Sequence, residues 1–276
     1  MSASPDAPRL YDALADALRA GEAVSLVTVV RSEVAEATPV GAKLLVSAVE
    51  DEAPLGSLGR PELDRVVARD ARAALARGSS LTRHYGPEGE ARREEIEVFV
   101  QSFAPPPHLV IFGAVDFTAA LATLAKLLGF HVTVCDARPV FATKKRFPAA
   151  DEVVVEWPDR LLARLGPSLG PRDAVCILTH DTKFDVPAVL GALSTKAGYI
   201  GAMGSRRTHE ERLRRLLEAG ADAAEVEARL MSPIGLDIGA RTPEETAVSI
   251  CAEIIAAGAG VGAPNLRDKA GPIHRR

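Results

Sequence analysis

His108-Leu-Val-Ile-Phe-Gly-Ala-Val-Asp-Phe-Thr118 is the stretch on which the reading of the whole chain turns. His108 to Phe112 is a short apolar run that stops at Gly113, and Phe117, Leu121, Leu124 and Leu128 then recur at helical spacing until Gly129. A second apolar run, His131 to Cys135, ends on Asp136, which lies 23 residues after Gly113. Strand, glycine turn, helix, strand and acid in this order form the first βαβ unit of a dinucleotide-binding domain. The fingerprint itself is altered. Val115 stands where a second glycine would let bare backbone approach a pyrophosphate, and Thr118 stands at the third glycine position. A β-branched side chain at the point of closest approach obstructs a diphosphate, so the fold is expected and ordinary NAD(P) binding is less favoured.

Outward from this unit, strand and helix patterns alternate toward the C-terminus. Glu152 to Val155 is expected as a short strand, Leu161 to Leu165 as helix and Ala174 to Thr179 as a strongly apolar strand. Val186 to Lys196 follows as helix, Gly198 to Ile200 as strand and Arg207 to Ala219 as helix. Such alternation predicts a Rossmann-like parallel sheet with helices on both faces. The last helix carries its own start signal in Thr242-Pro-Glu-Glu245: an N-cap, a proline in the first turn and a glutamate three residues past the cap. Residues 263–276 read as a flexible tail.

On the other side, Ala104-Pro-Pro-Pro107 cannot continue a helix or the interior of a sheet, which makes 104–107 a proline linker. Residues 1–103 are therefore expected as a smaller mixed α/β domain and residues 108–262 as the Rossmann-like domain. In the first of these, Leu10, Leu14 and Leu18 mark a helix closed by Gly21. Ala23 to Val30, Lys43 to Ala48 and Ile96 to Phe103 read as strands of a small mixed sheet. Gly56-Ser-Leu-Gly59 precedes a helix from about Pro61 to Ala76. Glycines so placed either make a plain turn or leave N–H groups free for an anion.

Composition bounds the function. A chain of 276 residues with 25% charged side chains and a net charge of −4 is an ordinary globular protein. Its basic residues are mixed with acids and lack interleaved aromatics, so nucleic acid is not an expected partner. No run approaches the length of a membrane span, and Met1 to Pro8 carries no secretory signal, so a cytoplasmic location is expected. Cys135, Cys176 and Cys251 are the three cysteines, none in a CxxC pair, and they read as small buried hydrophobes. There is no GxSxG, HExxH or Walker lysine motif, and the six histidines lack metal spacing.

Ligands of an open parallel sheet bind outside the carboxyl ends of its strands, so the polar residues directly after each strand are the candidates. Gly113 with Asp136 and Arg138 is the first group: the acid suits a hydroxyl and the guanidinium a phosphate. His180 and Asp181 form the second, with an imidazole able to move a proton and a carboxylate able to fix its tautomer, or else to cap the next helix. Gly204, Ser205, Arg206 and Arg207 form the third; free backbone donors, a helix N-terminus and two guanidinium groups point to a phosphate or carboxylate. Asp237, in the glycine-punctuated loop Ser232 to Gly239, is the fourth. Together they suit the holding of a phosphorylated, ring-bearing ligand better than the breaking of a bond.

At these places the chain resembles the xanthine dehydrogenase accessory factor family, XdhC/CoxI. The resemblance runs through Val110-Ile-Phe-Gly113, Val132-Thr-Val-Cys-Asp-Ala-Arg-Pro139, Leu178-Thr-His-Asp181, Tyr199-Ile-Gly-Ala-Met-Gly-Ser-Arg-Arg207 and Pro233-Ile-Gly-Leu-Asp-Ile-Gly-Ala-Arg-Thr-Pro-Glu-Glu245. It continues more loosely through Val27-Thr-Val-Val-Arg31, Pro39-Val-Gly-Ala-Lys43 and Gly56-Ser-Leu-Gly59. The resemblance implies an accessory domain followed by a Rossmann-like domain. It also implies molybdenum cofactor (molybdopterin) binding, with help in sulfuration and insertion into a xanthine or carbon monoxide dehydrogenase-type hydroxylase. The implied partners are that hydroxylase apoenzyme and a sulfur donor, and the implied assembly is a homodimer. Two departures stand out: Arg60-Pro-Glu-Leu63 replaces further glycines and a cysteine, and Gly113-Ala-Val-Asp116 replaces Gly-Ala-Gly-His. The other readings the residues allow are an NAD(P)-dependent oxidoreductase with His180 as acid or base, and a nucleotide-binding scaffold.

Overall fold

The computed structural model describes residues 7–91, 93–179 and 181–268. The chain divides into two compact units between Pro105 and Pro106, inside the proline run.

The first unit is built from α1 (Ala7–Ala20), β1 (Val24–Ser32), β2 (Lys43–Ser47), β3 (Leu55–Ser57), α2 (Pro61–Ala76), β4 (Leu81–Tyr85) and β5 (Ile96–Phe103). Its sheet runs β3-β2-β1-β5-β4. All four pairings are antiparallel rather than mixed: loops join β1 to β2, β2 to β3 and β4 to β5, while α2 carries the chain from edge strand β3 to edge strand β4. Val27, Val29, Leu44, Val46, Val98 and Val100 meet Leu63, Val67 and Ala71 of α2. Val24, Leu26 and Leu45 pack with Leu10 and Leu14 of α1. The glycine loop before α2 is a turn. The Asp64 carboxylate accepts from the Leu58 N–H (2.7 Å) and the Ser57 hydroxyl (2.7 Å), and Ser57 Oγ accepts from the Gly59 N–H (2.9 Å). The chain's own carboxylate thus occupies the donors an anion would use. Gly59 sits at φ +110°, where a Cβ would come within 1.9 Å of the Ala37 carbonyl oxygen.

The second unit contains β6 (His108–Phe112), α3 (Asp116–Leu127), β7 (His131–Cys135), β8 (Glu152–Val154), α4 (Pro158–Leu165), β9 (Ala174–Ile177), α5 (Thr182–Leu193), β10 (Tyr199–Ala202), α6 (Arg206–Glu218), α7 (Ala223–Arg229), β11 (Leu230–Met231) and α8 (Pro243–Ala259). The sheet order is β11-β10-β9-β6-β7-β8, parallel at every pairing. Strands buried on both faces need continuous apolar runs, which is what β6, β7, β9 and β10 supply. One face is covered by α3 and α8 through Leu121, Ala125, Ile250 and Ile254. The other is covered by α4 to α7 through Leu161, Val189, Leu216 and Val226. Burying each large side chain of these layers fully contributes about 1.5–3 kcal/mol.

Three differences from the sequence reading have physical causes. α5 begins at Thr182, before its Pro187, because the Asp181 carboxylate accepts from the Lys183 N–H and starts the helix there. β4 was not anticipated: it is an edge strand whose Thr82, Arg83 and His84 are exposed, and it lacks an apolar run. α7 and β11 are two short elements whose signal is too brief for periodicity, and only Val226 and Leu230 are buried in them.

Candidate functional site

β6, β7, β9 and β10 end level, with Phe112 paired to Cys135 and Ile177, and Ile177 paired to Ala202. The strand order reverses between β6 and β9, so the loops that leave Gly113 and Leu178 lead to helices on opposite faces of the sheet, the place where ligands of such sheets bind. The two loops nevertheless touch at their base. Gly113 lies at φ +112°, and a Cβ there would sit 2.7 Å from the Thr179 nitrogen. Only glycine allows this approach.

Asp136 is buried to 5% exposure at the end of β7. Its carboxylate accepts from the Ala114 N–H (2.9 Å), the Arg138 N–H (3.0 Å) and, in fork geometry, Arg138 Nε (2.9 Å) and Nη2 (2.8 Å). Burial pushes this carboxyl up, but the Arg138 fork, the two backbone donors and the guanidinium charge outweigh it and hold it below the usual carboxylate range. The hydrogen bond to Asp136 in turn raises the Arg138 pKa, with the charges of Asp136 and Asp181 adding to it. Asp136 therefore closes the glycine turn and aims Arg138. Next to it, Arg146 donates to the Ala114 carbonyl (3.0 Å) and lies 3.6 Å from the Asp116 carboxylate.

Asp181 caps α5 and pairs with Lys183 (3.3 Å). His180 lies outside the described residues. Ser205 caps α6 by accepting from the Thr208 N–H (3.2 Å). Gly204 precedes it at φ +148°, where a Cβ would crowd Thr208 at 2.9 Å. Arg207 lies along the helix surface and pairs with Glu211 (3.2 Å), while Arg206 is exposed and no ion pair reaches it among the described residues. The N–H groups of Gly204, Ser205, Arg206 and Arg207 meet no acceptor among the described residues.

First turns differ sharply around this edge. Asp116 opens α3, Asp159 lies in the first turn of α4, Asp181 caps α5, and Glu244 and Glu245 open α8. α6 has no acid in its first turn. It is the one of these five whose positive end has no carboxylate of the chain in its first turn or at its cap. Asp237 is exposed in a loop anchored elsewhere: the Gly235 N–H donates to Glu253 (2.8 Å), which also accepts from the Tyr199 hydroxyl, and Ser249 donates to the Leu236 carbonyl (2.6 Å). The structure thus brings Gly113, Asp136, Arg138 and Asp181 together, with Gly204 to Arg207 further along the same edge.

Two features escaped the sequence reading. Arg212 of α6 is fully buried; its Nε lies 2.9 Å from both oxygens of Asp185 in α5, Nη1 donates to Ser232 (2.9 Å) and Nη2 to the Met203 carbonyl (2.6 Å). In the run Arg206 to Glu218 it looks like one more solvated charge. The second is an aromatic group at the ends of β7 and β8. Trp157 and Phe184 have ring centroids 4.9 Å apart, and the Arg138 guanidinium lies 4.5 Å from the Phe141 centroid. The signal available was the placement of the only tryptophan directly after a strand.

All three thiols are sealed. Burial pushes Cys135 up to about 12, Cys251 up to about 11 and Cys176 well above its ordinary value. Among the described residues no cluster of histidine, cysteine or carboxylate side chains has the arrangement of a metal site. No described helix is long and apolar enough to cross a membrane.

A parallel sheet wound with helices on both faces, its strand order reversing between β6 and β9, defines a domain of Rossmann type. Residues 109–254 match the XdhC Rossmann domain and residues 17–86 match the XdhC and CoxI family. The chain belongs to the XdhC/CoxI family. A probable xanthine dehydrogenase subunit of Bacillus subtilis (strain 168) is 37% identical over 158 residues, 57% of this chain and 45% of that protein. Molybdenum cofactor insertion chaperone PaoD of Escherichia coli (strain K12) is 29% identical over 156 residues, 56% of this chain and 42% of that protein. The matched stretch spans less than half the length of these two relatives. Among solved structures, a xanthine dehydrogenase from Bacillus halodurans aligns over 91% of this chain and 96% of that one at 22% identity, with a TM-score of 0.49.

Proposed function

We propose that this chain binds molybdenum cofactor at the carboxyl edge of its parallel sheet, assists its sulfuration and hands it to a molybdenum hydroxylase of the xanthine or carbon monoxide dehydrogenase type. Membership of the XdhC/CoxI family and the likeness to a molybdenum cofactor insertion chaperone support the role. The observation that carries the site is the first turn of α6, free of acid, with four N–H groups and the Arg206 guanidinium unengaged among the described residues.

The donor set fits the phosphate of a molybdopterin. The N–H groups of Gly204 and Ser205 and the Arg206 guanidinium grip it, and Arg207 can join, since its exposed i,i+4 pair with Glu211 is worth only about 0.3–0.5 kcal/mol. We assign His180, Asp181 and Asp237 to the pterin or its metal as part of the same proposal. When bound, the cofactor supplies the redox chemistry of the recipient hydroxylase; this chain supplies grip and release. With Cys135, Cys176 and Cys251 all buried, the sulfur comes from a partner's donor group rather than from a thiol of this chain. The working form is a cytoplasmic homodimer.

A nicotinamide cofactor fits less well. Val115 stands where the fingerprint has its second glycine, Asp116 sets a negative charge in the first turn of α3, and Asp136 is already engaged by Arg138. The test is retention of molybdenum cofactor by the purified chain, read as cofactor fluorescence after oxidation. Arg206→Ala should weaken retention roughly tenfold or more, the scale of a lost charge-assisted hydrogen bond. Retention equal to that of the unaltered chain would refute the grip at α6.

A further inference from the structure

The aromatic group beside Arg138 is not absorbed by the phosphate grip. Phe141 is 40% exposed and Trp157 is 42% exposed, with Val140 and Val155 bare beside them at 79% and 50%. Four open apolar side chains at one end of a parallel sheet exceed the scatter of single exposed residues. Cations are set among the rings: Arg138 lies 4.5 Å from the Phe141 centroid and 5.9 Å from that of Phe184, and Lys183 Nζ lies 4.7 Å from the Phe184 centroid. Arg138 is held still by its fork on Asp136, so its flat face is fixed rather than adaptable.

From this arrangement we infer that Phe141, Arg138 and Trp157 form a stacking subsite for a nucleobase, the nucleotide end of a dinucleotide form of the cofactor. The inference deepens the proposed function and rests on it for the identity of the whole ligand. Rings interleaved with guanidinium and ammonium groups suit a flat, electron-poor heterocycle attached to a negative tail. The span also matters. Arg138 follows β7 and Arg206 follows β10, three strand positions away, or roughly 14 Å at the spacing of neighbouring strands. A mononucleotide is too short to occupy both places, whereas a dinucleotide lies across such an edge at the strand reversal. The base at β7 and the phosphates toward α6 use both features at once, with Asp181 between them.

Trp157 is the only tryptophan of the chain, so its emission reports on this place alone. The whole chain is titrated with CMP, GMP and AMP, and in parallel with ribose 5-phosphate and inorganic phosphate. Saturable quenching by at least one nucleotide, and by neither base-free phosphate, is expected. Phe141→Ala should weaken that nucleotide roughly tenfold while leaving Trp157 in place, and its far-ultraviolet circular dichroism should match that of the parent. Absence of quenching with all three nucleotides overturns the inference, as does equal quenching by ribose 5-phosphate. Arg206→Ala should leave the quenching by mononucleotides within a factor of two, so a failed phosphate grip and a failed base subsite give different results.

Discussion

Asp136 is the residue whose spacing suggested a hydroxyl partner and whose contacts within the chain are with Ala114 and Arg138. Its spacing from Gly113 suited a hydroxyl acceptor, yet all its acceptor sites face the Ala114 N–H and the Arg138 fork. A carboxyl held below its unfolded value of about 3.9 stabilises the fold at pH above that value. The contribution disappears as pH falls through the lower folded value. Asp136→Asn should therefore be less stable than the parent by about 1.5–3 kcal/mol at neutral pH, the scale of hydrogen bonds to a charged group. The difference should shrink toward pH 3, as read by urea unfolding across that range. A gap independent of pH would show that the charge is not what Asp136 contributes. The neighbouring glycine was legible because only Gly113 permits the backbone contact with Thr179. The acid's partner was not, since nothing in the spacing of Asp136 and Arg138 distinguishes a pair turned on each other from a pair turned to a ligand.

At the scale of elements, Arg212 binds α5, α6 and the loops at Met203 and Ser232 into one piece. These are the loops that precede Gly204 and Asp237, so the buried guanidinium sets where the candidate anion site lies. Removing one partner of a buried pair costs about 3–5 kcal/mol. Arg212→Met, nearly the same length, should lower stability by that amount in chemical denaturation. A loss under 1 kcal/mol would mean that packing of α5 on α6 holds the loops without it. The strands β6, β7 and β9 and the capped helix α8 were readable because apolar runs and the Thr242 to Glu245 capping box are local signals. The first-turn contrast was only half readable. Arginines opening α6 are visible in sequence, but that Asp181 starts α5 four residues earlier than expected depends on its side chain meeting the Lys183 N–H.

The whole molecule is two units, each with its own buried layers. Residues 106–276 produced alone should melt in one cooperative transition and keep the Trp157 response, because every residue of the edge belongs to that unit. A product without a cooperative transition would mean that the first unit is needed for the second to fold. The sealed state of Cys135, Cys176 and Cys251 has a consequence at this scale. With no reachable thiol, the folded chain has no cysteine with which to form a covalent tether. Under the proposed function, delivery would then be a matter of partition: the cargo would leave when the recipient's affinity exceeds that of the edge, and competition between the two, rather than thiol exchange, would set the pace of loading.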